Sequence, residues 1–101
     1  MQITDMDKIM NMLDYACRAC GVTMQQARCQ SCRQRSVVTA RMLFSLIAER
    51  HGLLDREIAC ALSMSRMAAS RYRFSLKEAQ RFSRERFIFI TKKTDEYDAT
   101  T

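Results

Sequence analysis

The sequence predicts an all-α fold, a small bundle of helices joined by short loops, and three observations carry that expectation. The 101 residues include no proline and only two glycines, which leaves few places for tight hairpin turns. Strong helix formers (Ala, Leu, Met, Arg, Gln and Glu) fill much of the remainder. Apolar residues recur at steps of three and four, the spacing that gathers side chains on one face of a helix. A chain of about 100 residues can bury one workable core without staples. One domain is therefore expected over residues 1–94, with a flexible tail from Asp95 to Thr101.

The first helix is expected from Met6 to Cys20, with Ile9, Met10, Leu13, Cys17 and Cys20 forming its apolar stripe and Gly21 ending it. Thr23 followed by Gln26 has the spacing of a capping box and predicts a short second helix. Residues 28–35, Arg-Cys-Gln-Ser-Cys-Arg-Gln-Arg, form a polar, basic connector. A long helix follows from about Val37 to Glu49, with Val38, Leu43, Leu46 and Ile47 facing inward, and His51-Gly52 closes it. After Phe74 the pattern is helical again through Leu76, Ala79 and Phe82, while Phe87-Ile88-Phe89-Ile90 fits either the last turns of a helix or an extended segment.

Between these lies the most informative stretch. Residues 54–73 read as two short helices around a tight turn, a pattern that resembles the helix-turn-helix of many bacterial DNA-binding proteins. Ile58 and Leu62 take the core side of the first helix, and Ala59 is small where the second helix crosses it. Ser63 and Met64 make the turn, with Ser63 standing where glycine is usual, and Ser65 caps the second helix. That helix then offers Arg66 and Met67 outward, followed by Ser70, Arg71 and Arg73.

The charge points the same way. Lys and Arg exceed Asp and Glu by 17 to 11, a formal net charge of +6. Between Arg28 and Arg73 the cations are all arginines, opposed only by Glu49, Asp55 and Glu57. Arginine forks match phosphate oxygens and guanine edges, so this segment leans toward nucleic acid.

Other functions find less support. No apolar run nears the ~20 residues of a membrane span, no membrane partner is expected, and Met1 to Asp7 lacks the apolar stretch of a signal peptide. The five cysteines are thus expected as reduced thiols in the cytoplasm. Cys17-x-x-Cys20 and Cys29-x-x-Cys32 have zinc half-site spacing, and the four together would make a zinc site. The favoured reading leaves them metal-free, because Cys17 and Cys20 complete a helix stripe where small buried thiols are common. The lone histidine, His51, sits at a helix end, no carboxylate pair stands out, and no Gly-rich Lys-Ser/Thr phosphate loop occurs. No enzyme and no cofactor are expected.

From about Ile9 to Lys77 the chain resembles the C-terminal DNA-binding domain (domain IV) of the bacterial replication initiator DnaA, a Trp-repressor-like fold. The resemblance rests on Cys20-Gly21-Val22 after the first helix, Arg33-Gln34-Arg35 at the basic loop, Ala40-Arg41 in the long helix, and Glu57-Ile58 with Leu62. It implies that Arg33 and Arg35 reach the minor groove and phosphates and that Arg41 holds phosphate. The family's Arg-Asp-His-Thr-Thr signature is replaced here by Ser65-Arg66-Met67-Ala68-Ala69, so the groups that read its cognate box are missing.

The expected function is double-stranded DNA binding through the 65–73 helix and the 28–35 loop, as a bacterial transcription regulator or accessory replication factor without ATPase activity. The alternative is an adaptor that keeps the fold, has lost specific DNA reading and binds a protein partner. A homodimer, with Phe87 to Ile90 as its contact, stays open.

Overall fold

A computed structural model describes the backbone of residues 3–100, and the side chains of these apart from residues 3–5, 74–76 and 82. Among these residues six helices follow one another: α1 (Ile3–Cys20), α2 (Met24–Ala27), α3 (Arg35–Arg50), α4 (Asp55–Ala61), α5 (Arg66–Phe82) and α6 (Arg84–Thr100). No strand occurs among the described residues. The radius of gyration, 12.5 Å, is that of one packed unit of about 100 residues. The expectations for Leu76 and Phe82 fall on side chains outside the described set.

Helix α3 is the axis of the bundle and packs against α1, α2, α5 and α6. Its apolar residues go round the helix, so Val37, Ala40, Met42, Leu43, Phe44, Ile47 and Ala48 are all buried. Val38 and Leu46, expected inward, sit half-buried at the edge of the core. Helix α1 lies along α3 and buries Ile9, Met12, Leu13, Ala16 and Cys17, a clean i, i+3, i+4, i+7, i+8 stripe. The true stripe is rotated from the expected one, with Met10 and Cys20 on its flank. Each large side chain in this seam contributes roughly 1.5–3 kcal/mol by leaving water.

Three helices end the same way. At α1, Val22 N–H bonds the Cys17 carbonyl (3.0 Å) and Gly21 N–H that of Arg18, with Gly21 at φ +71°. At α3, Leu53 bonds back to Ala48 and Gly52 to Glu49, with Gly52 at φ +81°. At α4, Met64 bonds back to Ala59 and Ser63 to Cys60, and here a serine takes the left-handed residue at φ +55°. This paired closure satisfies terminal carbonyls but asks for a backbone that costs a non-glycine residue roughly 1–2 kcal/mol. Ser63→Gly should therefore stabilise the fold, by about 0.5–1 kcal/mol after the added flexibility of the unfolded chain is subtracted. Equal or lower resistance to urea in the variant would contradict this account of the turn.

The N-termini are built from their own side chains. Thr23 Oγ1 accepts from Gln26 N–H (3.0 Å) while Gln26 Oε1 accepts from Thr23 N–H (2.9 Å), the reciprocal box expected for α2. At α4 only the reverse half forms, because Leu54 has no side-chain oxygen: its N–H donates to Glu57 (2.7 Å). Ser65 Oγ accepts from Ala68 N–H (3.1 Å) and caps α5.

The C-terminal segment decides one reading that the sequence left open and corrects another. Phe87 to Ile90 is helical, and the stretch from Asp95, expected to be a flexible tail, continues α6 as far as Thr100. Ile90, Thr94 and Tyr97 are buried along one side of it. The Tyr97 ring packs at a tilt against Tyr15 (5.0 Å, 56°) and edge-on with His51 (5.6 Å), while Tyr15 OH donates to the Lys93 carbonyl (2.9 Å). Arg50 pairs with Asp95 (2.7 Å), and His51 Nε2 lies 3.0 Å from Asp98. Helix α6 thereby closes the bundle over α3. No helix among the described residues is long and apolar enough to cross a membrane.

Candidate nucleic-acid interface

The connector between α2 and α3 has almost no apolar content, yet it is well fixed, and a buried arginine is the reason. Arg41 is 1% exposed. Its Nε donates to the Ala27 carbonyl (2.9 Å), Nη1 to the Cys32 carbonyl (3.0 Å) and Tyr72 OH (2.9 Å), and Nη2 to the carbonyls of Cys29 (2.5 Å) and Gln26 (3.3 Å). A guanidinium has five N–H groups, and all five are engaged. Arg41 therefore does not reach a phosphate, the role implied by the family resemblance. It gathers the carbonyls of the loop around one fixed charge and ties them to α5 through Tyr72, whose ring lies 5.5 Å from the guanidinium carbon.

A second tie lies at the surface. Gln30 Nε2 donates to the Ser63 carbonyl (2.8 Å), so the tip of the loop touches the α4–α5 turn. The connector ends at Gln34, and Arg35 is the first residue of α3. Arg33 and Arg35 are both exposed.

Beyond that turn, Arg66, Met67, Ser70 and Arg71 are exposed along one side of α5, while Ala69 is buried and Tyr72 and Arg73 turn toward the bundle. The i, i+1, i+4, i+5 spacing makes the exposed set a single face. Met67 stands 74% exposed at the start of the helix. Ser70 Oγ donates to the Met67 carbonyl (2.8 Å), and the Ser65 hydroxyl is held by its cap. Arg73, expected as a contact residue, instead pairs with Glu49 (2.5 Å) and with Asp55. Its charge is neutralised within the protein, and it braces α5 against α3 and the start of α4.

The basic residues thus divide. Arg18, Arg50 and Arg73 lie in ion pairs. Arg33, Arg66 and Arg71 have no carboxylate partner among the described residues. The sequence reading missed Arg86, a half-buried residue of α6 whose Nη2 reaches the Arg35 carbonyl (3.4 Å). Burial, and then the charge of Arg35, hold its guanidinium below the usual arginine range. Nothing in the Arg84-Glu85-Arg86 stretch marks this neighbour in advance.

The cysteines do not form the four-thiolate arrangement their spacing allows. Cys17 is buried in α1, Cys20 lies half-buried beside it, and burial pushes both thiols up to about 11. Cys29 and Cys32 occupy the loop, and no group of three metal-ligating side chains gathers among the described residues. Cys60 is exposed on α4.

Compared with known proteins, the chain matches no family model, no curated protein and no solved structure.

Proposed function

We propose that this chain binds double-stranded DNA, with α4 and α5 acting as a helix-turn-helix whose second helix enters the major groove. The loop 28–34 and Arg35 then rest on the adjoining backbone or minor groove. One observation carries the reading: the Gln30–Ser63 hydrogen bond joins the basic loop to the turn before α5, so two sets of arginines without a carboxylate partner among the described residues lie on adjoining elements. Positive charge without internal partners is the form that displaces counterions from a duplex. Arg33, Arg35 and Arg86 suit phosphate, since an anion would relieve the repulsion between the last two. Arg66, Met67, Ser70 and Arg71 suit base edges, with arginine for guanine and the methionine for a thymine methyl.

The scaffold proposed for this is Trp-repressor-like, in the manner of DnaA domain IV, with the box-reading residues replaced. The protein would serve as a bacterial regulator or accessory replication factor, with neither a catalytic step nor a cofactor. Selection of bound duplexes from a random pool tests the base-reading role. Arg66→Ala should change the preferred bases at one or two positions, at about 1–3 kcal/mol each. An unchanged preference would remove Arg66 from the groove.

Exposed Met67 also favours a second reading, an adaptor that seats this apolar helix end on a partner protein. Retention of one stoichiometric partner after nuclease treatment, with no duplex binding by the pure chain, would favour it over DNA.

A further inference from the structure

We propose that Cys29 and Cys32 form a thiol–disulfide exchange site that reacts with low-molecular-weight disulfides and closes to an internal disulfide. The geometry is already close to that product. Cys32 N–H bonds the Cys29 carbonyl (3.1 Å), closing a turn of four residues. Such a turn holds its end Cα atoms within about 7 Å, against the roughly 4.4–6.8 Å that a disulfide spans. Arg41 fixes the turn from beneath by bonding both cysteine carbonyls, at 2.5 and 3.0 Å. Little conformational freedom remains to be lost on closure.

The two sulfurs are also differentiated as attack and resolution require. Cys29 Sγ lies 3.1 Å from Ser31 Oγ, and hydrogen bonds from Ser31 and then from Cys32 bring its thiol down to about 7. Cys32, as the donor of that contact, is held above its ordinary value. Near neutral pH Cys29 is therefore the nucleophile and Cys32 keeps its proton until the second step. The Cys29 thiolate attacks one sulfur of the disulfide RSSR, forming Cys29–S–S–R and releasing RS⁻. The Cys32 thiol then gives up its proton and attacks the Cys29 sulfur, displacing the second RS⁻. Both thiolates leave as RSH, and two electrons pass from the protein to the small disulfide. The α1 pair has the same spacing, but Cys17 is buried, Cys20 is half-buried, and burial pushes both thiols up to about 11, so it does not compete.

Closure would act where the loop meets the fold, because Gln30, which bonds the Ser63 carbonyl, lies between the two cysteines. The exchange chemistry itself does not depend on the DNA reading.

Exposure of the full-length protein to oxidised glutathione, followed by alkylation of remaining thiols and tryptic digestion, reads the site directly. Trypsin releases Cys29–Arg33 as one peptide free of the other three cysteines. The expected product is this peptide lacking two hydrogen atoms, with Cys17 and Cys20 fully alkylated. Cys32→Ser should instead stop at a glutathione adduct on Cys29, and Cys29→Ser should not give the closed peptide. Alkylation of Cys29 should rise with a midpoint near pH 7, against about 8.5 for an ordinary thiol. A Cys29–Arg33 peptide that stays reduced while exposed Cys60 takes up glutathione would overturn the proposal. So would an adduct on Cys29 that never closes in the parent protein.

Discussion

Arg41→Met should destabilise the fold by about 3–5 kcal/mol, a large share of the roughly 5–15 kcal/mol that holds a domain together. Methionine keeps the apolar stem but removes every donor. The carbonyls of Gln26, Ala27, Cys29 and Cys32 and the hydroxyl of Tyr72 would lose their shared partner. A buried acceptor stripped of its donor costs about 1–3 kcal/mol, less where water can replace it at the loop surface. Arg41→Lys should recover only part of the loss, since an ammonium has three donors and no planar fork. Urea unfolding separates this role from phosphate binding. An arginine that only held phosphate could be removed with a change within about 0.5 kcal/mol, and such a result for Arg41 would contradict the structural role.

Removing the loop charges should have the opposite profile. Arg33→Ala combined with Arg35→Ala should leave stability nearly unchanged, because both side chains are exposed and neither forms an ion pair among the described residues. Affinity for duplex DNA should fall about 10- to 100-fold at low salt, and by a similar factor for every sequence. Loss confined to one preferred sequence would mean that the loop reads bases instead of holding the backbone. The contrast with Arg66→Ala, which should change preference more than overall affinity, assigns backbone and base contacts to different elements.

The parts of the fold legible in the sequence are those that local chemistry decides. Apolar spacing locates α1 and α3, Gly21 and Gly52 mark two helix ends, and Thr23 and Ser65 mark two beginnings. The left-handed serine at residue 63 could be anticipated because glycine usually stands there. What escaped notice depends on partners far apart in the chain. Arg41 is an ordinary cation by composition, and only its meeting with Tyr72, 31 residues away, together with the loop carbonyls, makes it a core residue. Arg73 looks free until α3 brings Glu49 beside it. The end of α6 reads as polar because the middle of its buried row, Ile90, Thr94 and Tyr97, is a threonine whose hydroxyl bonds back to the Ile90 carbonyl (2.8 Å). In the candidate interface, the exposed arginines were legible from charge alone, while the ties that bring the loop to α5 were not.

The most direct test of the central claim is fluorescence anisotropy of the pure protein with a mixed-sequence duplex across a salt series. Binding at micromolar or tighter concentration, with log affinity falling linearly against log salt at a slope of about −4 to −5, is the expected result for some four to six displaced counterions. The Arg33→Ala, Arg35→Ala variant should reduce that slope by about 2. Absence of binding at low salt, or affinity indifferent to salt, would contradict DNA binding and leave the exposed end of α5 to a protein partner.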